Sequence, residues 1–209
     1  MDTFKGREIE LIDRIMEHLL SKNRRLQEKA SFTLIKVCAQ MSTLISENYL
    51  SVYYKELLDY ILRKFKHAIS QNEEPCLIMT CSQAYGALGR AIKLLKSENG
   101  LHDAIHFLIE HTESSLFRKL DRFENFDFET NPQNFKAVLF NQKQLISHLK
   151  AFSLILIETA NLQSYEVSFI QKLIEICLKY LGNFFPAYVN PLNDALGNFL
   201  NSLPIMNYN

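Results

Sequence analysis

Apolar residues recur at helical spacing along almost the whole chain, and this periodicity limits the fold more than any other feature. Ile12, Ile15, Met16, Leu19 and Leu20 follow the i, i+3, i+4, i+7 rule of a one-faced helix, which predicts a helix over about residues 7–21. After Ser21-Lys22-Asn23, the series Ala30, Leu34, Val37, Cys38, Met41, Leu44 and Ile45 carries a stripe over several turns. A third stripe runs from Tyr54 through Leu57, Ile61 and Phe65 to Ile69. Pro75 suits the first turn of a fourth helix, where its missing N–H costs no bond. That stripe continues through Cys81, Tyr85 and Leu88 to Leu95, and Asn99-Gly100 then offers a left-handed stop.

Shorter helices are expected at about 101–112 and 114–123, followed by a loop at about 124–133 where the periodicity is lost. The pattern returns over about 134–160 with Val138, Leu145, Leu149 and Phe152, and over about 165–184 with Ile170, Leu173 and Cys177. Asn190-Pro191 reads as an N-cap and first-turn proline of a closing helix that carries Leu192, Leu196 and Phe199. No stretch alternates in the manner of a strand. The expected fold is therefore all-α: about nine helices arranged as stacked antiparallel pairs in one all-helical domain over residues 1–209. The loop at 124–133 divides it into an N-terminal helix-pair half and a C-terminal half.

Composition narrows the function. Residues 1–100 hold 15 Lys and Arg against 12 Asp and Glu, and residues 101–209 hold 8 against 11, a split of +3 and −3 too mild for a strongly basic nucleic-acid-binding face. No apolar run reaches the roughly 18 residues of a membrane helix, and Met1-Asp2-Thr3-Phe4-Lys5 lacks the apolar core of a signal peptide. Cys38, Cys76, Cys81 and Cys177 show no CxxC spacing, and three of them fall on apolar faces, as small buried hydrophobes do in a reducing compartment. The expected location is intracellular, in the cytoplasm, the nucleus or both.

Chemistry-bearing motifs are sparse. His102 and His106 share one helix face at i, i+4, but the sequence between them lacks the glutamate of an HExxH motif and no third ligand is evident, so both read as solvated surface residues. There is no GxSxG, GxxxxGK[ST] or GxGxxG signature. No catalytic residue, metal or cofactor is expected, and the chain reads as a non-enzyme.

Two stretches stand out as binding candidates. One is a basic cluster of Lys22, Arg24 and Arg25 at the first inter-helix turn, with Arg63, Lys64 and Lys66 late in the third helix, a set suited to phosphate or an acidic peptide. The other is the loop around Phe123, Phe126 and Phe128, where aromatics alternate with acids; rings are costly to leave in water, so they fold back or bind something.

The run Asn23-Arg24-Arg25-Leu26-Gln27-Glu28-Lys29-Ala30-Ser31-Phe32-Thr33-Leu34 looks like the second helix of a HEAT repeat: a polar turn residue, a basic residue, then spaced Leu, Ala and Leu. The first and third helices start about 44 residues apart, the pacing of HEAT or armadillo arrays. Residues 8–95 resemble a pair of HEAT repeats of the importin-β and transportin family. The resemblance implies an α-solenoid or α-α superhelix acting as a protein–protein interaction scaffold, with a nuclear or chromosome-associated role in transport, DNA repair or recombination assembly. Nucleic-acid or phosphate binding through the basic turns is the alternative.

Overall fold

The computed structural model describes residues 7–72, 74–117, 132–180 and 186–204. Among these the chain is all-helical, without strands. Eight α-helices are present: α1 (Arg7–Leu19), α2 (Arg24–Glu47), α3 (Val52–Gln71), α4 (Pro75–Ala87), α5 (Gly89–Thr112), α6 (Pro132–Leu156), α7 (Ser164–Tyr180) and α8 (Pro186–Asn201). A short π-helical segment, Glu113–Phe117, follows α5. The chain packs as two compact units, Met1–Leu101 and His102–Asn209. Most of the loop expected at 124–133 lies outside the described residues.

In the first unit, α1 and α2 form an antiparallel hairpin. The Asn23 side chain accepts from the backbone N–H groups of Arg25 and Leu26, which caps α2 and ends the turn after α1. Gln27 then reaches back to donate to the Leu19 carbonyl at 3.0 Å, closing the hairpin. The second hairpin, α3 with α4, starts its second helix at Pro75, as its first-turn position requires.

The two hairpins stack in parallel register. Tyr53 donates to Glu8 at 2.8 Å, Tyr60 donates to Asp13 at 3.3 Å, and Lys64 also donates to Asp13. These partners advance together along both helices, so α1 and α3 run the same way. On the other layer, Thr80 donates to the Ser31 hydroxyl at 2.9 Å and the Ala91 N–H donates to the Ser42 hydroxyl at 3.1 Å. Both pairs are separated by 49 residues, so α2 runs alongside α4 and the start of α5 in constant register. Ile12, Leu34, Ile61, Phe65 and Tyr85 fill the space between the layers and are almost fully buried.

Two boundaries differ from the periodicity. The stripe expected to run unbroken from Pro75 to Leu95 is two helices, because the backbone leaves the helical path at Leu88 and restarts at Gly89. Asn99-Gly100 is no left-handed stop: α5 turns at Ser97, whose φ of 73° is the positive one among the described non-glycine residues. The signal was misplaced because asparagine and glycine favour such a turn, whereas here the kink falls on a serine.

In the second unit α6 is the central element. Residues 144–149 are all buried, so this helix is covered on nearly every side rather than on one stripe. An aromatic series joins its neighbours: Phe117 of the π segment stacks on Phe169 of α7 at 5.8 Å, Phe169 meets Phe152 of α6 at 5.0 Å, and Phe152 meets Phe199 of α8 edge-on at 6.4 Å. The closing helix starts earlier than Asn190-Pro191 suggested. Pro186 occupies its first position and Pro191 lies inside it, at the cost of one backbone hydrogen bond. Burial of Leu192, Ala195 and Phe199 offsets that cost.

Candidate interaction surfaces and buried polar sites

The basic cluster of the first unit is partly neutralised where it sits. Arg24 pairs with Glu28 at 2.9 Å one turn along α2. Lys64 is held by Asp13 and Tyr60. Burial alone pulls the Lys64 ammonium down, yet hydrogen bonds to Asp13 and Tyr60 outweigh it and leave the pKa above the ordinary lysine value. Arg63 donates to the Asp59 carbonyl at 3.3 Å, and Lys66 is half-buried. Lys22, Arg24 and Arg25 are exposed. Because α1 and α3 are parallel and Lys64 lies level with Asp13, six residues before the end of α1 at Leu19, the α3 cations sit roughly 9 Å along the axis from the first turn. The fold thus places both groups toward one end of the unit, while tying down Arg24 and Lys64 with carboxylates.

The turn between α2 and α3 is apolar and exposed. Tyr49 and Leu50, in the four-residue connection between Glu47 and Val52, are 53% and 83% accessible, and Val52 at the start of α3 is 70% accessible. Phe32, 63% accessible on α2, carries the Lys36 ammonium 4.4 Å from its ring centre. Sequence periodicity does not flag these side chains, since apolar residues at a helix end look like ordinary stripe members. Phe123, Phe126 and Phe128 lie outside the described residues.

Polar chemistry in the second unit is internal. His102, expected on a solvated face, is buried: its Nδ1–H donates to Oε1 of Glu166 at 2.7 Å. Glu166 is inaccessible to solvent, and its other oxygen accepts from the Gln163 N–H at 2.7 Å. Gln163 directly precedes α7 and Glu166 is its third residue, so one carboxylate both caps α7 and holds α5. The Tyr165 hydroxyl donates to Glu166 at 3.4 Å; burial, with the Glu166 charge adding to it, pushes that phenol up to about 12. His106 packs its ring 5.2 Å from Tyr165 and stays partly in solvent beside Glu110. The two histidines of the i, i+4 pair therefore part: one faces inward and the other outward.

Further along, His148 of α6 meets His111 of α5 edge-on, with ring centres 5.5 Å apart. His148 is 2% accessible, and neither ring nitrogen has a hydrogen-bond partner among the described residues. Gln144, one turn before it, donates to the Ser115 hydroxyl at 3.0 Å, and Ser115 donates to the His111 carbonyl at 2.6 Å. Burial, with His111 adding to it, pushes the His148 ring down to about 3.

Cys38, Cys81 and Cys177 are free and buried, and Cys76 is half-buried. Burial raises the thiol pKa of Cys81 and of Cys177 to about 12, and that of Cys38 still further from its ordinary value. Among the described residues no group of three or more His, Cys, Asp or Glu side chains is placed to hold a metal ion, and no helix is long and apolar enough to cross a membrane. Comparison with protein-family models, with curated proteins and with solved structures finds no match to this chain.

Proposed function

We propose that the protein is a non-enzymatic interaction scaffold of the helical-repeat type, related in architecture to HEAT and armadillo arrays. The supporting observation is the parallel register of the first unit, where the second hairpin repeats the first at a shift of 49 residues on one layer, in the pairs Ser31–Thr80 and Ser42–Ala91. Such stacking solves a packing problem, because a hairpin exposes an apolar face it cannot bury alone. It also leaves inter-helix turns free to make contacts. Here those turns are the apolar Tyr49–Val52 connection and the basic Lys22–Arg25 turn, and the Phe123–Phe128 loop is a third candidate. A partner segment would dock its apolar side chains while rim cations set its register. Cytoplasmic or nuclear residence, and a transport or recombination assembly, belong to the same reading.

The test is affinity purification of the intact protein from cells, followed by hydrogen-exchange footprinting of the recovered complex. Protection confined to one of these turns, and a partner lost in Leu50→Asp or in the Phe126→Ala/Phe128→Ala double variant without loss of helicity, supports the scaffold. Recovery of nucleic acid alone, released steeply by salt, would favour phosphate binding through the basic turns. That second reading has less behind it, since Glu28 and Asp13 already occupy Arg24 and Lys64.

A further inference from the structure

A buried histidine without a carboxylate partner is tolerable only while neutral, and His148 has none among the described residues. Among the described residues neither ring nitrogen has a partner, so protonation would add an N–H and a charge to a fully buried ring that no described carboxylate contacts. Its neighbour across the contact is a second imidazole, His111, which would repel the charge. The charged groups described on the surrounding elements are engaged or exposed elsewhere. Glu113 of the π segment is exposed and faces Lys172 at 3.6 Å, and Asp194 of α8 is exposed. Glu166 of α7 is committed to His102 and Gln163. Lys143 and Lys150 of α6 itself are exposed, and α8 packs along α6 with Leu192, Ala195 and Phe199 buried.

We infer that the His148–His111 contact is an acid-sensitive latch: protonation of His148 opens α6 and α8 in the His102–Asn209 unit. The sign follows from the positions of the two states. The ring titrates at about 3 in the folded unit and near 6.5 when exposed, so its contribution to stability is complete above pH 6.5 and is lost as the pH falls toward 3. Between those limits the opening constant rises about tenfold per pH unit, hence about thirtyfold between pH 7.5 and 5.0. Carboxylates titrate mostly below that window, which leaves the histidines as its main reporters.

The experiment is native hydrogen exchange of the full chain at pH 7.5 and 5.0, corrected for intrinsic exchange rates, on wild type and His148→Phe. Peptides from α6 and α8 should open about thirtyfold more at pH 5.0 in wild type, and by less than threefold in the variant. Peptides from α2 serve as the internal reference. Equal acid sensitivity in wild type and variant, or equal opening in α2, would overturn the latch. Should His148→Phe fail to fold, the imidazole resonances of the wild-type protein decide. A His148 ring that stays neutral in the folded form at pH 5.0 supports the inference, and a midpoint near 6.5 overturns it.

Discussion

Glu166 and His102 lie 64 residues apart in sequence and 2.7 Å apart in space, and their bond pins the first turn of α7 to α5 inside the second unit. The same carboxylate caps α7 through the Gln163 N–H, so two structural tasks depend on one side chain. Glu166→Ala leaves a buried imidazole and a helix N–H without acceptors and should destabilise the protein by about 3 kcal/mol. Glu166→Gln keeps an acceptor for one of them and should cost less than half as much. Urea denaturation of both variants checks the ranking; equal losses would mean that a neutral amide oxygen replaces neither bond.

The kink at Ser97 makes a second prediction. Its φ of 73° with ψ of 178° lies in a region that glycine occupies without penalty, so Ser97→Gly should stabilise the protein by about 1 kcal/mol. The turn also folds Lys96 back over Gly100, where an added methyl would fall on the Lys96 Cβ. Gly100→Ala should therefore destabilise by about 2 kcal/mol. Thermal melts of the two variants should shift in opposite directions. A stabilising Gly100→Ala would show that the chain does not turn there.

Ser42 caps a helix that is not its own. The residue before α5 is Leu88, which has no side-chain acceptor, and the third N–H of that helix, on Ala91, is satisfied instead by the Ser42 hydroxyl at 3.1 Å. Both groups are buried. Ser42→Ala should cost about 1–2 kcal/mol in urea denaturation, with faster hydrogen exchange at Ala91 than at Ile92, whose N–H is held by the Leu88 carbonyl. Unchanged exchange at Ala91 would remove the inter-helix cap.

The cysteines divide by reactivity. Thiolates react, and burial keeps Cys38, Cys81 and Cys177 protonated and covered. A thiol reagent at pH 8 should modify Cys76 first and reach the other three only on unfolding, a contrast read directly by mass spectrometry. Rapid labelling of Cys81 in the native protein would contradict its burial.

Periodicity alone was enough to read helices at Ile12–Leu19, Ala30–Ile45 and Leu57–Ile69, because each keeps one apolar face against a single neighbouring layer. It read Pro75 correctly for a similar reason, since a missing N–H is a local property. Local rules misplaced the break at Leu88, the turn at Ser97 and the start of the closing helix at Pro186. At the first and the last of these, contacts from elsewhere in the chain, the Ser42 hydroxyl at Ala91 and the Phe152–Phe199 packing, accompany the boundary that forms.

The candidate sites divide the same way. Charge and exposure of Lys22, Arg24 and Arg25 follow from a polar turn and were legible in the sequence, whereas the engagement of Lys64 by Asp13 needed α1 and α3 to lie side by side. His102 and His148 read as surface or unassigned histidines because helical spacing records only which face a residue occupies. Whether that face meets solvent, a carboxylate or another imidazole is decided by residues 64 and 37 positions away, Glu166 and His111, through packing that no local pattern encodes.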